Sequence, residues 1–430
     1  MKQPSDTLSS SLSPQEGAGW RSEADSRIES LRKGDLTVEV RGRDRAPWKD
    51  AHVEYRLKRH SFLFGTAIAH APFAEPGDAG RRYRQFILDH FNALVCENEM
   101  KWYATEVERG SEDYAPADAL LDFAGQNGLA MRGHSLFWEQ EDWVQPWLRA
   151  LGEGDLRAAV EHRLAATVTR YAGRLVSWDV NNEVLDGKFY RERMGPDAMG
   201  WMFREAARLD PKTPLFVNEF GILGAPEKTE RYLELIRDLR ARGAQVGGIG
   251  VQSHDCDRFV TGGHMMLAPG ERPWWALSSP LTAEAFLATL DRLQGETGLP
   301  IHLTEVSAKF PDADRRADLL EMLFRLGFSH PGVEAIMLWG FEEKTHWMGP
   351  DAALMNADGT LTAAGSRISH LLCDEWSMRG TGVTGADGRL AFRGYYGKYT
   401  LAIRVPGRGE IAKEVDLTKT TPTGVVELAE

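Results

Sequence analysis

The chain has 430 residues, of which 42% are hydrophobic and 27% charged, and its net charge is −12. That composition supports a large buried core and excludes wholesale disorder. The negative balance argues against nucleic acid or an anionic membrane as the main partner, and no apolar run approaches the ~18 residues of a bilayer-spanning helix. Three widely spaced cysteines, Cys96, Cys256 and Cys373, suggest neither a disulfide framework nor a CxxC metal site.

In chain order, residues 1–19 are polar and rich in Ser, Pro and Gly, which predicts a mobile tail. No basic start followed by an apolar segment marks a secretion signal. A full-length chain would then be cytoplasmic, and a trimmed one periplasmic or secreted. Between Leu36 and Leu57 the alternating stretches LTVEV and HVEYRL flank a polar segment with Pro47, and read as a hairpin-like strand pair. Residues 60–376 alternate short apolar runs with longer helical patterns. The runs are FLFGTAI (62–68), ALVCEN (93–98), AMRGHSLFW (130–138), LVSWDVNNE (175–183), PLFVNEF (214–220), GGIGVQSH (247–254), IHLTEVS (301–307) and AIMLWG (335–340). Segments such as DLRAAVEHRLAATVTRYA, PEKTERYLELIRDLRARG and TAEAFLATLDRLQGETG repeat apolar residues every three or four positions, the period of an amphipathic helix.

Eight strands, each followed by a helix, predict an α/β fold of the (β/α)8 TIM-barrel type. A doubly wound open sheet is the alternative, but GGIGVQSH lacks the GxGxxG spacing. After about Met378 the runs RLAFRG, YTLAIRV, IAKEVDL and VVELA are again strand-like. In a barrel both chain ends emerge at the bottom face. Residues 35–58 and 379–430 are therefore expected to join in one discontinuous accessory β-sandwich, since an isolated hairpin is marginal in water. Tyr395, Tyr396 and Tyr399 are its only candidates for sugar contact, and core packing is their expected role.

The apolar runs end in residues with chemistry: Glu97-Asn98-Glu99, His134 and Trp138, Asn182-Glu183, Asn218-Glu219, Gln252 and His254, Glu305, and Trp339. In a barrel these ends converge on one rim. Helix capping accounts for any single one, but not for a series built from glutamates and tryptophans. Glu183 and Glu305 lie on the fourth and seventh runs, so their side chains can face each other across the mouth. Paired carboxylates are what glycosidic cleavage requires, at about 5–5.5 Å for retention or 6.5–9.5 Å for inversion of configuration. A structural ion-paired role is the other reading of any two glutamates. The 13 tryptophans suit sugar rings, whose C–H faces are apolar and whose rims are hydroxyls.

The blocks ENEMKW (97–102), GHSLFW (133–138), WDVNNE (178–183), LFVNEF (215–220), GIGVQSH (248–254), LTEVS (303–307) and MLWG (337–340) resemble glycoside hydrolase family 10, the endo-β-1,4-xylanase family, over about 300 of the 430 residues. WDVNNE and FSHPGVEAIMLWG look most like its plant-type branch and bacterial relatives. The resemblance implies a retaining double displacement on internal β-1,4 bonds of xylan or a related β-glycan, without a cofactor or metal. Glu183 would be the acid/base and Glu305 the nucleophile. Asn182, Lys101, His134 and Gln252 would contact the sugar at the cleavage subsite. Glu97 and Asn98 would hold the next sugar toward the non-reducing end, and Trp138, Trp339 and Trp347 would form aromatic walls. His254 would support the nucleophile.

Three features depart from that pattern. Ser307 stands where the family usually has an Asp supporting His254, and Glu139 follows Trp138 where many xylanases have His. The segment of about 257–280 is longer than expected, and it is read either as a surface loop or as a subsite wall with Trp274 and Trp275. His254-Asp255-Cys256 lacks a second ligand cluster, so no metal site is predicted. A relative with altered specificity and a sugar-binding protein without turnover are the rival functions. The expected partner is a polysaccharide or oligosaccharide, and nothing indicates the oligomeric state.

Overall fold

The computed structural model describes residues 18–42, 44–254, 281–310, 312–405, 409–421 and 423–427. Eight parallel staves close into a (β/α)8 barrel. They are β3 (Leu63–Ile68), β4 (Ala93–Cys96), β5 with β6 (Ala130–Gly133, Phe137–Trp138), β7 (Ser177–Asn182), β8 (Leu215–Glu219), β9 (Val246–Gln252), β10 (Ile301–Val306) and β11 (Val333–Leu338). β5 and β6 are two pieces of one stave, since both pair with β7, and β11 pairs with β3 to close the ring. β4, β7, β8 and β10 are buried at every position. That is why β4 and the start of β8 read as continuous apolar runs, whereas β7 (SWDVNN) and β10 (IHLTEV) alternate, with polar positions buried like the apolar ones.

The three amphipathic segments form helices Glu153–Tyr171, Pro226–Ala241 and Ala283–Thr297, within two residues of the sequence patterns. The last starts where the Thr282 hydroxyl accepts from Ala285 N at 3.1 Å. It stops at Gly298, whose φ of 66° a side chain would disfavour.

The chain ends form two sheets. One has the order β13–β1–β16, with β1 (Lys33–Arg41), β13 (Arg389–Tyr395) and β16 (Thr423–Glu427). The other has the order β12–β2–β14–β15, with β2 (His52–His60), β12 (Arg379–Val383), β14 (Gly397–Arg404) and β15 (Glu410–Leu417). The hairpin expected from LTVEV and HVEYRL does not form: β1 and β2 lie in different sheets. The intervening segment turns a corner instead. Arg41 bridges to Pro47, and Arg45 and Asp50 adopt φ of 63° and 61°. Each strand then takes partners from the far end of the chain. Leu36, Val38 and Val40 on β1 and Val53 and Leu57 on β2 are buried. Tyr55 on β2 stacks on Phe392 of β13 at 3.8 Å. Tyr395 and Tyr399 are buried and present no row for a sugar.

The sequence reading also passed over helix α1 (Ala18–Arg32). Its apolar residues Trp20, Ala24 and Ile28 recur every four positions, and Ala24 and Ile28 are buried. Of the tail read as residues 1–19, residues 1–17 lie outside the described residues. α1 lies along helix Ala313–Ser329, with Arg21 at 3.1 Å from Glu321 and Asp25 at 2.8 Å from Arg325. Arg325 also meets Glu321 and Glu375, so one buried guanidinium ties the N-terminal helix, the barrel and the C-terminal connection together. Arg32 closes α1 against the barrel bottom by donating to the carbonyls of Phe328 and Val333 at 2.7 and 2.8 Å. Among the described residues, no helix is long and apolar enough to cross a membrane.

Candidate active site

The C-terminal ends of the staves surround a cavity of about 540 Å3. Glu97, Asn98, Lys101, His134, Trp138, Asn182, Glu183, Gln252, His254, Glu305, Trp339 and Trp347 all line it. Tyr103, Trp143 and Phe220 line it as well and were not singled out from the sequence. Trp274 and Trp275, with the rest of 255–280, lie outside the described residues. Among the described residues, no group of three His, Cys, Asp or Glu side chains could hold a metal ion.

Glu183 and Glu305 share an uncommon backbone geometry, with φ of 58° and 57°. The left-handed region costs a non-glycine residue about 1–3 kcal/mol, and such strain gathers at functional sites. Register shifts lie beside both, at Asp179/Asn181 between β7 and β8 and at Leu303/Val306 between β10 and β11. Such irregularities re-aim side chains at barrel rims.

The two carboxylates sit in different surroundings. Glu183 accepts from Trp138 Nε1 at 2.9 Å, Asn182 Nδ2 at 3.2 Å and Gln252 Nε2 at 3.3 Å. Burial, reinforced by the charge of Glu305, still raises its pKa above the usual carboxylate value. Glu305 is also buried, but it accepts from Asn218 Nδ2 at 2.6 Å and faces His254 Nε2 at 3.3 Å. Burial pushes its pKa up, yet the His254 hydrogen bond and the nearby His134 and Lys101 outweigh that and hold it below the usual range. One carboxyl is pushed up and the other held down within one cavity, which is the direction of splitting that acid-assisted displacement needs.

A polar scaffold fixes this pair. Asn218 Nδ2 also donates to Asn182 Oδ1 at 2.9 Å, while its own Oδ1 accepts from Thr304 at 2.6 Å. Asn218 thus joins the strand of one glutamate to the strand of the other; its sequence block had marked it only as a polar strand end. Below them, Asp179 binds Arg132 and orients His134, whose Nδ1 lies 2.9 Å from its Oδ2. His134 Nε2 then points at Glu305 from 3.9 Å and has no hydrogen-bond partner among the described residues. Lys101 donates to Asn98 Oδ1 at 3.2 Å and lies 4.6 Å from the Trp138 ring centre. Trp143 stacks on Trp138 at 4.9 Å with a 5° tilt, and Tyr103 lies 5.7 Å from Trp143. These rings form a continuous aromatic ledge.

Both departures near the site have a structural account. The Ser307 hydroxyl stands 3.2 Å from His254 Nδ1, so that nitrogen keeps a polar partner without a carboxylate. Glu139 turns away from the cavity into the protein, where it accepts from Asn181 Nδ2 at 2.9 Å and Tyr190 N at 3.2 Å. Burial raises its pKa to about 7, against the pull of these donors and Arg191. A carboxyl whose folded-state pKa is raised adds stability that is full below its unfolded value of about 4.5 and is lost as pH rises through about 7. Glu139→Gln should therefore flatten the decline of the urea midpoint between about pH 4.5 and 7. An undiminished decline would assign the pH dependence to other groups.

With this geometry in hand, comparison with known proteins is specific. The model of Glycosyl hydrolase family 10 matches residues 54–368. Anti-sigma-I factor RsgI6 of Acetivibrio thermocellus is 37% identical over 410 residues, covering 95% of this chain and 50% of that protein. Endo-1,4-beta-xylanase 1 of Arabidopsis thaliana is 35% identical over 402 residues, covering 93% of this chain and 39% of that one. The chain thus spans half or less of the length of these curated relatives. The crystal structure of native xylanase 10B from Thermotoga maritima superposes with a TM-score of 0.61 at 25% identity, covering 73% of this chain and 96% of that one. Family match and barrel coincide over the segment that carries every lining residue of the cavity, and the chain belongs to glycosyl hydrolase family 10.

Proposed function

We propose that the protein hydrolyses internal β-1,4 bonds of xylan or a related β-glycan with retention of configuration. The observation that carries this reading is the opposed titration of Glu183 and Glu305 in one cavity. Glu183 protonates the leaving oxygen while Glu305 attacks the anomeric carbon, forming a covalent glycosyl-enzyme. That bond consumes the charge on Glu305, which had helped to raise the Glu183 pKa. Glu183 then ionises more readily and acts as the base that activates water in the second step. Asn182 and His134 reach the sugar hydroxyls, and the ring ledge of Trp138 and Trp143 offers flat faces to further sugars.

Reducing-sugar release from xylan, mixed-linkage glucan and cellulose, with NMR of the first anomer formed, tests this. The β-anomer from xylan supports the reading, and the α-anomer or no release refutes it. A sugar-binding protein without turnover is the second reading, favoured by the long match to a protein named as an anti-sigma factor. Binding of xylo-oligosaccharides without any release would decide for it.

Residues 35–58 and 379–430 are proposed to act as one accessory unit. Its two sheets each combine strands from both chain ends. Deleting residues after Met378 should expose Leu36, Val38, Val40 and Val53 and lower the melting temperature or solubility. A truncated protein with an unchanged melting curve would make the two ends independent.

A further inference from the structure

The turn that follows Glu183 is held by side chains from two other elements. Residues 184–187 close back on Glu183, with Gly187 N donating to its carbonyl at 3.0 Å. Leu185 has both of its backbone polar groups taken. Its N–H donates to Glu219 Oε2 at 2.9 Å, and its carbonyl accepts from Arg231 at 2.6 Å. Asp186 Oδ2 accepts from Lys228 Nζ at 2.6 Å, and the same ammonium lies 3.2 Å from Glu219 Oε1. It also lies 3.4 Å from the centre of the Phe220 ring, which lines the cavity. Glu219 ends β8 and is fully buried, and Lys228, in the first turn of helix Pro226–Ala241, is 3% exposed.

Neither Glu219 nor Lys228 lines the cavity, so this buried pair has no part in the chemistry described above. Taking two charges out of water is a poor source of net stability, and its return lies in what the pair fixes. The comparison with Glu305 shows what needs fixing. Glu305 shares the left-handed backbone of Glu183, but the next residues stay bonded to the adjoining staves. The Val306 carbonyl accepts from Trp339 N at 2.9 Å, and Ser307 N donates to the Ser253 carbonyl at 3.4 Å. The residues after Glu183 leave the sheet, and a left-handed backbone there persists only where the surroundings over-determine it. Burial pushes the Glu219 pKa up to about 7, against the pull of Lys228 and the Leu185 N–H. Without the ammonium, Glu219 takes up a proton more readily and becomes a weaker acceptor for Leu185.

We propose that Lys228 is a positioning residue for Glu183: with Glu219 and Arg231 it clamps the turn of residues 184–187 and so aims the Glu183 carboxyl at the leaving oxygen. The proposal rests on the reading of Glu183 as the acid/base. Because the ammonium also backs the Phe220 ring, the turn and that part of the cavity wall keep one spacing. Proton donation is the step most sensitive to this aim, since the donor must lie within hydrogen-bond reach of the oxygen it protonates. Glu305 keeps its own backbone braces, so its attack is spared.

The leaving group separates a lost aim from general damage. Lys228→Met keeps the length of the side chain and removes its charge. On phenyl β-xylobioside, whose phenolate departs poorly without a proton, kcat/KM should fall by about ten- to hundredfold, the scale of a misplaced reacting group. On dinitrophenyl β-xylobioside, which needs no proton, kcat/KM reports attack by Glu305 and should stay within about twofold. Arg231→Met, at an exposed side chain, removes one hydrogen bond from the same turn and should show the same split at about three- to tenfold. It carries the test if Lys228→Met does not fold. Equal losses on the two glycosides, or no loss on the phenyl one, overturn the proposal. Glu183→Ala run beside them separates the two readings. If it shows no split, or if the native protein is inactive on both glycosides, the acid/base reading falls and the clamp with it. A split in Glu183→Ala with none in the Lys228 and Arg231 variants refutes the clamp alone.

Discussion

Replacing Glu305 by alanine is expected to abolish turnover on every substrate, activated aryl glycosides included, with kcat falling by about four to six orders of magnitude. No covalent intermediate can form without the carboxylate, and a good leaving group does not substitute for it. Glu183→Ala should behave differently. An aryl glycoside with an acidic phenol departs without protonation, so its first step should survive while deglycosylation stalls. Azide, which attacks without base assistance, should then restore turnover and yield the β-glycosyl azide. The contrast follows from the two environments: Glu183 is surrounded by weak N–H donors and burial, Glu305 by an asparagine, two histidines and a lysine. Equal losses on aryl glycosides, with no azide rescue, would remove both assignments.

Asp179→Ala should be the most damaging substitution for the fold. Asp179 is fully buried, and it neutralises Arg132, which is itself 3% exposed. Removing it leaves a guanidinium inside the barrel whose remaining hydrogen-bond partners among the described residues are Ser177 Oγ at 3.1 Å and His302 Nδ1 at 2.8 Å, beside the Phe216 ring. Breaking one side of a buried ion pair costs about 3–5 kcal/mol. His134 also loses the partner of its Nδ1, so the residual folded protein should turn over more slowly. Asp179→Asn retains the shape and should fall between the two. Urea unfolding measures the effect, and an unchanged midpoint for the alanine variant would show that His302 and Ser177 suffice.

The barrel was legible because each stave is both a short run carrying apolar residues and the bearer of a polar end, two signals that agree. The cavity lining was legible for the same reason: Glu97, His134, Asn182, Gln252 and Glu305 close or follow such runs. What escaped lacks that register. Tyr103 and Trp143 sit on single helical turns, Trp102–Thr105 and Glu141–Trp143, too short for any period to mark them, and they gain a role through the Trp138 ring and, for Tyr103, the Asn98 amide. Glu139 was visible as a departure, but nothing local said that it points inward to Asn181 and the helix after Lys188. Helix α1 carries few apolar residues amid many charges, so its stability depends on Glu321 and Arg325, some 300 positions away. The separation of β1 from β2 is likewise set by partners more than 300 residues distant, which no local alternation reveals.

The course of α1 makes the two ends of the protein unequal as points of attachment. Helix Ala313–Ser329 descends from the rim, because the strands on either side of it run upward, and α1 lies alongside it with Arg21 level with Glu321 near its middle. The chain therefore enters α1 about halfway up the barrel wall. A tether joined after β16 leaves from the sheets beneath, on the side away from the cleft. A binding domain grafted directly ahead of α1 would start closer to the cavity and reach a ligand there with the shorter linker. The same domain at the C-terminus needs a linker that spans the barrel, and the local concentration of ligand it supplies falls as that linker lengthens.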